Sequence, residues 1–158
     1  MPEKTSSRGG RIIAENRAAH HNYFVLEAYE TGMELKGTEV KSIRMGNVNL
    51  KDSWCEIRDG ELFVNGIHIS PYEKGNIFNR DPRRVRKLLM HKKEIRRIYD
   101  KVRQEGLTLI PLMLYYKGDR VKLEVGLCKG KKLYDKRDDA AKRAAERDID
   151  RSLKERNR

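Results

Sequence analysis

The chain has 158 residues, enough for one compact domain and an appendage but not for a second full core. Apolar residues make up 37% and charged residues 38%, so a modest core must lie under a very polar surface. A formal charge of +12 exceeds the roughly 2–8 units that solubility alone calls for, which points to a polyanionic partner, nucleic acid first.

Met1 to Arg11 is polar and lacks an apolar targeting segment, so it reads as a flexible N-terminal arm. Structure is expected to begin near Ile12. Tyr23–Tyr29 and Gly32–Lys36, divided by Glu30-Thr31-Gly32, read as a first pair of strands joined by a turn. Gly37 to Gly46 carries a capping Thr38, apolar Val40 and Ile43, and a terminal glycine, and reads as a short helix.

Trp54 to Ile69 reads as a hairpin, because Asp59-Gly60 supplies the positive φ angles of a two-residue turn. Ser70 to Asn76 breaks the pattern into a loop. Asp81, Pro82 and Gly106 are start and stop signals, and Val85, Leu88, Leu89, Ile95, Ile98 and Val102 recur at three- and four-residue steps; together they predict one long basic helix over Pro82–Glu105. Leu107–Tyr116 and Arg120–Cys128 read as a second hairpin, with Pro111 at an edge or a bulge. Six or so short strands with two to three helices predict a mainly β fold, a small closed antiparallel barrel of oligonucleotide-binding type over residues 12–130.

Residues 131–158 form a separate, basic C-terminal tail. Among them only Leu133, Tyr134, Ile149 and Leu153 are large apolar residues, so no independent core can form. Asp138/Lys142, Asp139/Arg143 and Asp150/Lys154 each add only about 0.2–0.5 kcal/mol of helix stability, and the stripe Ala141, Ala145, Ile149, Leu153 is thin. The tail is expected to be disordered alone and helical when bound.

Cys55 and Cys128 are distant in sequence and form no C-x-x-C, which suggests a reducing, cytoplasmic setting. The four histidines form no metal-ligand pattern, and no nucleophile sits in a catalytic motif. Gly126-x-x-x-Gly130-Lys131-Lys132 is one residue short of a phosphate loop and lacks its serine or threonine. The signatures of the common single-strand RNA modules are also missing. The residues alone therefore predict a non-catalytic RNA binder without cofactor, metal or membrane span, reading RNA shape through phosphates and riboses.

One family matches this pattern string by string. Ile13-Ala14-Glu15-Asn16-Arg17, His21-Asn22-Tyr23-Phe24, Gly37-Thr38-Glu39-Val40-Lys41-Ser42-Ile43-Arg44, His68-Ile69-Ser70-Pro71-Tyr72, Asp81-Pro82, Arg86-Lys87-Leu88-Leu89, Gly130-Lys131-Lys132 and Asp135-Lys136-Arg137 follow in order. They resemble the SsrA-binding proteins of bacterial trans-translation, the small protein B family. The resemblance implies a barrel that binds the tRNA-like domain of transfer-messenger RNA and delivers it to the A site of stalled ribosomes. It also implies a tail that folds in the empty messenger channel beside the decoding centre, and elongation factor Tu as a partner through the charged RNA.

Carried over by motif, the resemblance places RNA contacts at Glu39, Lys41, Arg44, Leu89, His91, Lys122 and Lys129. It places ribosome contacts at Asn16, His21, Tyr23, Gly130, Lys131, Lys132, Tyr134, Asp135, Lys136 and Arg137. His91 stands where asparagine is common in the family, and Tyr134 where histidine is. The residues leave open another RNA-binding or ribosome-assembly protein sharing the barrel, or an RNA-processing enzyme.

Overall fold

The computed structural model describes residues 10–74 and 79–156, with side chains undescribed at 133–135, 155 and 156. Among the described residues are nine strands, β1 to β9, and four helices, α1 to α4. The first elements are β1 (Ile12–Glu15), α1 (Arg17–Asn22), β2 (Tyr23–Met33), α2 (Gly37–Arg44) and β3 (Val48–Asn49). Then follow β4 (Trp54–Arg58), β5 (Glu61–Asn65), β6 (His68–Ile69), β7 (Arg86–Leu89), α3 (Lys92–Glu105), β8 (Thr108–Lys117), β9 (Arg120–Gly130) and α4 (Leu133–Arg156).

The strands close on themselves. β8 pairs with β9 along one edge, and its other edge is shared by β1 and, through Cys55 opposite Leu109, by β4. From β4 the ring runs through β5, β7 and β2 and returns to β9, every pairing antiparallel. Closure leaves few strand edges open, the usual solution for a small basic β domain. Leu62 and Val64 of β5, Leu88 of β7, Leu109 and Leu114 of β8, and Leu123, Val125 and Leu127 of β9 point inward, joined by Ile95 and Ile98 of α3.

The expectation of a mainly β, closed antiparallel barrel is met by this ring of strands with its helices, and both expected hairpins are present. Asp59 and Gly60 take φ of 51° and 76°, as the two-residue turn between β4 and β5 requires. Pro111 lies at the β8 irregularity between 111 and 113, where its missing N–H breaks no ladder. Gly106 ends α3 in the left-handed conformation, its N–H donating to Val102 O.

Two expectations need correction. The helix predicted over Pro82–Glu105 is a strand followed by a shorter helix, because residues 86–89 alternate: Arg86 and Leu88 are buried, whereas Leu89 is exposed. This segment joins β5 to β2, and the ladder closed there outweighs a helical stripe that Val85 and Leu89 do not fill. Asp81 caps only a local turn, its Oδ1 accepting from Arg83 N at 2.9 Å.

The turn expected at Glu30–Gly32 is absent as well. β2 runs straight through it, with Glu30, Thr31 and Gly32 opposite Glu124, Leu123 and Lys122. Gly32 serves packing and not a turn, since a Cβ there would lie 3.3 Å from Leu89 Cβ. At the end of the expected arm, Gly10 is buried and Arg11 O accepts from Tyr116 N at 2.9 Å. Residues 1–9, and Gly75 and Asn76 of the expected loop, lie outside the described residues.

α1 was not anticipated; it packs Ala19 against Ile110, Leu112 and Cys128 on the outer face of β8 and β9. α4 is a single 24-residue helix whose side chains from 140 to 154 are exposed. Among the described residues no helix is long and apolar enough to cross a membrane.

Candidate nucleic-acid interface

Gly32 lies opposite Leu89 of β7 on one side and Lys122 of β9 on the other. That register brings together two residues separated by 33 positions in sequence. With His91, the residue that precedes α3, they line an open groove of about 390 Å³. Leu89 is 49% exposed there, an apolar contact surface beside a flexible cation.

The same groove contains Glu30, which the sequence reading missed. Tyr115 Oη donates to Glu30 Oε2 at 2.5 Å and Lys117 Nζ to Oε1 at 3.1 Å. The Tyr115 hydrogen bond and the charges of Lys117 and Lys122 outweigh burial and hold the Glu30 carboxyl below the usual carboxylate range. The only available signal was strand alternation: once β2 is continuous, Glu30 and Gly32 share its outer face.

Glu39 is not in this groove. It occupies the third position of α2 and is 4% exposed. Oε1 accepts from Lys36 N at 2.8 Å and from Arg84 Nη2 at 2.6 Å, and Oε2 from Arg86 Nε at 2.7 Å. Burial pushes this carboxyl up, but Arg84, the Lys36 amide and Arg86 together hold it below the usual range.

Arg86 is fully buried, and its remaining nitrogens donate to Ile67 O at 2.9 Å and Pro82 O at 3.1 Å. Glu39 is therefore the counter-charge that allows an arginine inside the ring. It offers no open oxygen to RNA. What it presents outward is Arg84, part-exposed and tied to Oε1. Lys41 and Arg44 are exposed on the same helix, Lys41 Nζ standing 5.3 Å from the centre of the Tyr72 ring.

A second set of residues gathers at the far end of the β2–β9 pair, where Tyr23 faces Gly130. At about 3.3 Å per residue, the steps from Lys122 to Gly130 put roughly 26 Å between the two ends. Asn16 is buried here as a support: its N–H donates to Leu112 O at 2.8 Å and its Nδ2 to Pro111 O at 2.9 Å. His21 is exposed on the last turn of α1. Lys129 belongs to this end, opposite Phe24, and not to the groove.

Lys131 ties this end together. Its Nζ donates to His20 O at 3.0 Å, pairs with Asp139 of α4 and lies 4.8 Å from the Phe24 ring centre, leaving its side chain 3% exposed. Lys132 and Arg137 are exposed and Lys136 is half-buried beside it. The side chains of Tyr134 and Asp135 lie outside the described residues.

Among the described residues no group of three or more His, Cys, Asp or Glu side chains is placed to hold a metal. Burial pushes the Cys55 thiol up, the neighbouring Cys128 adding to the effect, and pushes Cys128 up to about 11, so both stay protonated at neutral pH.

The sequence profile of the family described as "SmpB protein" matches residues 13–155. An SsrA-binding protein of Carboxydothermus hydrogenoformans is 60% identical over 146 residues, covering 92% of this chain and 98% of its own. One from Clostridium perfringens is 59% identical over 151 residues, covering 96% and 97%. A chain from a solved structure described as "tmRNA-SmpB: a journey to the center of the bacterial ribosome" superposes with a TM-score of 0.65 at 50% identity, covering 78% of this chain and 91% of that one. With a groove at one end, a basic cluster at the other and a profile match over nearly its whole length, the chain belongs to the SmpB, or SsrA-binding protein, family.

Proposed function

We propose that this chain binds the tRNA-like domain of transfer-messenger RNA through the groove around Gly32 and carries it to the A site of stalled ribosomes. The observation that carries this reading is the separation of two surfaces on one rigid strand pair. Leu89, His91 and Lys122 stand at one end, and Tyr23, Gly130 and the base of α4 at the other. A body of this shape can hold an RNA and a second particle at once. The names of the relatives, and the tmRNA–SmpB complex of the structural neighbour, support the same pair of partners.

α4 then enters the vacant messenger channel, where residues from Lys132 to Arg137 face the decoding centre. Its exposed face, including Ile149 at 59% and Leu153 at 51%, stabilises little by itself, which favours a helix that persists only when bound. Elongation factor Tu is met only through the charged RNA. Work of this kind is cytoplasmic and asks no bond chemistry of the protein.

Two assays on one variant test the reading. A chain ending at Lys132 retains salt-sensitive binding to the isolated tRNA-like domain but loses peptide tagging on ribosomes stalled without a codon. Undiminished tagging by that truncated chain would refute it.

A further inference from the structure

Glu94 is a half-buried carboxylate in the first turn of α3, on the wall of the groove that holds Leu89, His91 and Lys122. Lys92, Lys93, Arg96 and Arg97 all lie within three residues of it. Even so, its side chain makes no hydrogen bond or ion pair among the described residues.

Nor is the carboxylate spent on its own helix. Glu39, at the same third position of α2, reaches back to the Lys36 amide and closes a capping box; α3 has no such bond from Glu94 to the His91 amide. The other groove carboxylate, Glu30, is already engaged on both oxygens by Tyr115 and Lys117. Glu94 is thus the acceptor that the groove keeps open.

Two carboxylates repel a phosphate, so the RNA group seated between Glu94 and Lys122 must bring N–H or O–H donors. In RNA these are a ribose 2′-hydroxyl or the imino and amino groups of a base edge. An open groove of about 390 Å³ lined by Gly32 and Leu89 is large enough for one nucleoside.

Resting on the tmRNA reading above, we infer that Glu94 determines specificity in the groove by accepting a hydrogen bond from a 2′-hydroxyl or base donor of the bound RNA. His91 and Lys122, which line the same groove, supply donors. The groove therefore combines both hydrogen-bonding senses, which a purely cationic patch cannot do, and discriminates among RNA groups as well as attracting them.

The test compares the full chain with Glu94→Ala and Glu94→Lys, in binding to the tRNA-like domain at fixed salt near 0.15 M. Simple electrostatics predicts tighter binding as negative charge leaves a basic protein. The inference predicts the reverse: about ten- to hundredfold weaker binding for Glu94→Ala, the range for a hydrogen bond to a charged acceptor, and no recovery in Glu94→Lys. Glu94→Gln keeps a carbonyl oxygen and helix propensity and should fall between, which covers the case that a harsher variant does not fold.

Single 2′-deoxy substitutions, and single-base analogues that each delete one amino or imino donor, inosine for guanosine among them, then identify the donor: one of them weakens the intact chain and has no further effect on Glu94→Ala. Equal or tighter binding by Glu94→Ala, or no coupled position in either RNA series, overturns the inference while leaving the tmRNA reading in place. Failure of the intact chain to bind the RNA overturns both.

Discussion

Replacing Glu39 by alanine should cost this protein a large part of its stability, and the structure shows why. The substitution leaves Arg86, fully buried, with its charge uncompensated and its Nε unbonded; Ile67 O and Pro82 O still bind the other two nitrogens but carry no net charge. Arg84 and the Lys36 amide lose their partner as well. Breaking one side of a buried pair costs about 3–5 kcal/mol, set against a total of about 5–15 kcal/mol for a whole domain.

Urea unfolding followed by the single tryptophan, Trp54, measures this loss. With a slope of about 2 kcal/mol per molar, the midpoint should fall by roughly 2 M. Acid unfolding adds a signed check. Glu39 is held below its ordinary value of 4.5 in the folded state, so between the folded and unfolded values the unfolded chain binds more protons. Its contribution is complete above the unfolded value and disappears as pH falls through the folded one. Glu39→Gln should flatten that decline. A midpoint shift under about 0.3 M in Glu39→Ala, together with a large loss of RNA affinity, would refute the internal role and return Glu39 to the binding surface.

Three further outcomes follow from the same geometry. Leu89→Ala, at a half-exposed site, should leave the urea midpoint nearly unchanged and weaken binding to the tRNA-like domain about fivefold, read by titration, since roughly half a leucine side chain is available to cover. Lys122→Ala should weaken RNA binding and, if its partner is a phosphate, lower the slope of log affinity against log salt by about 1. Gly126→Val should lower the melting temperature by several degrees, at a cost of about 1–3 kcal/mol, because a Cβ there would lie 2.8 Å from Leu112 Cδ1 and 3.1 Å from Cys128 Sγ.

Local chemistry made some of the fold legible. Asp59-Gly60 and Lys117-Gly118-Asp119 announced both hairpins because a tight turn restricts backbone angles within a few residues, whatever lies elsewhere. Gly106 marked the end of α3 for the same reason. Arg86 to Leu89 was misread because Val85, Leu88 and Leu89 sit three and four residues apart, a spacing that over so short a run fits a helical stripe as well as a strand. Thr31 and Gly32 were misread because glycine beside threonine signals a turn unless a neighbouring strand needs the space above it.

The site divides in the same way. Leu89 and Lys122 were reached from the family resemblance, but their meeting beside Gly32 follows from the order in which β7, β2 and β9 pair. Glu30 and Glu39 show the limit most sharply: Glu30 stands in an expected turn and Glu39 in a motif string, and only the packing puts one in the groove and the other against a buried arginine. Burial is a property of what arrives from distant segments, which no window along the chain contains.

By itself the sequence determined a basic chain with a mainly β body, two hairpins and a highly charged C-terminal segment, because charge, turn chemistry and periodicity act over a few residues. Tertiary structure alone decided that β7 is a strand, that Glu39 faces inward, and that the two surfaces sit at opposite ends of one strand pair. Those outcomes depend on which strand edges remain to be paired when the ring closes, and that is settled by contacts between residues far apart in the chain.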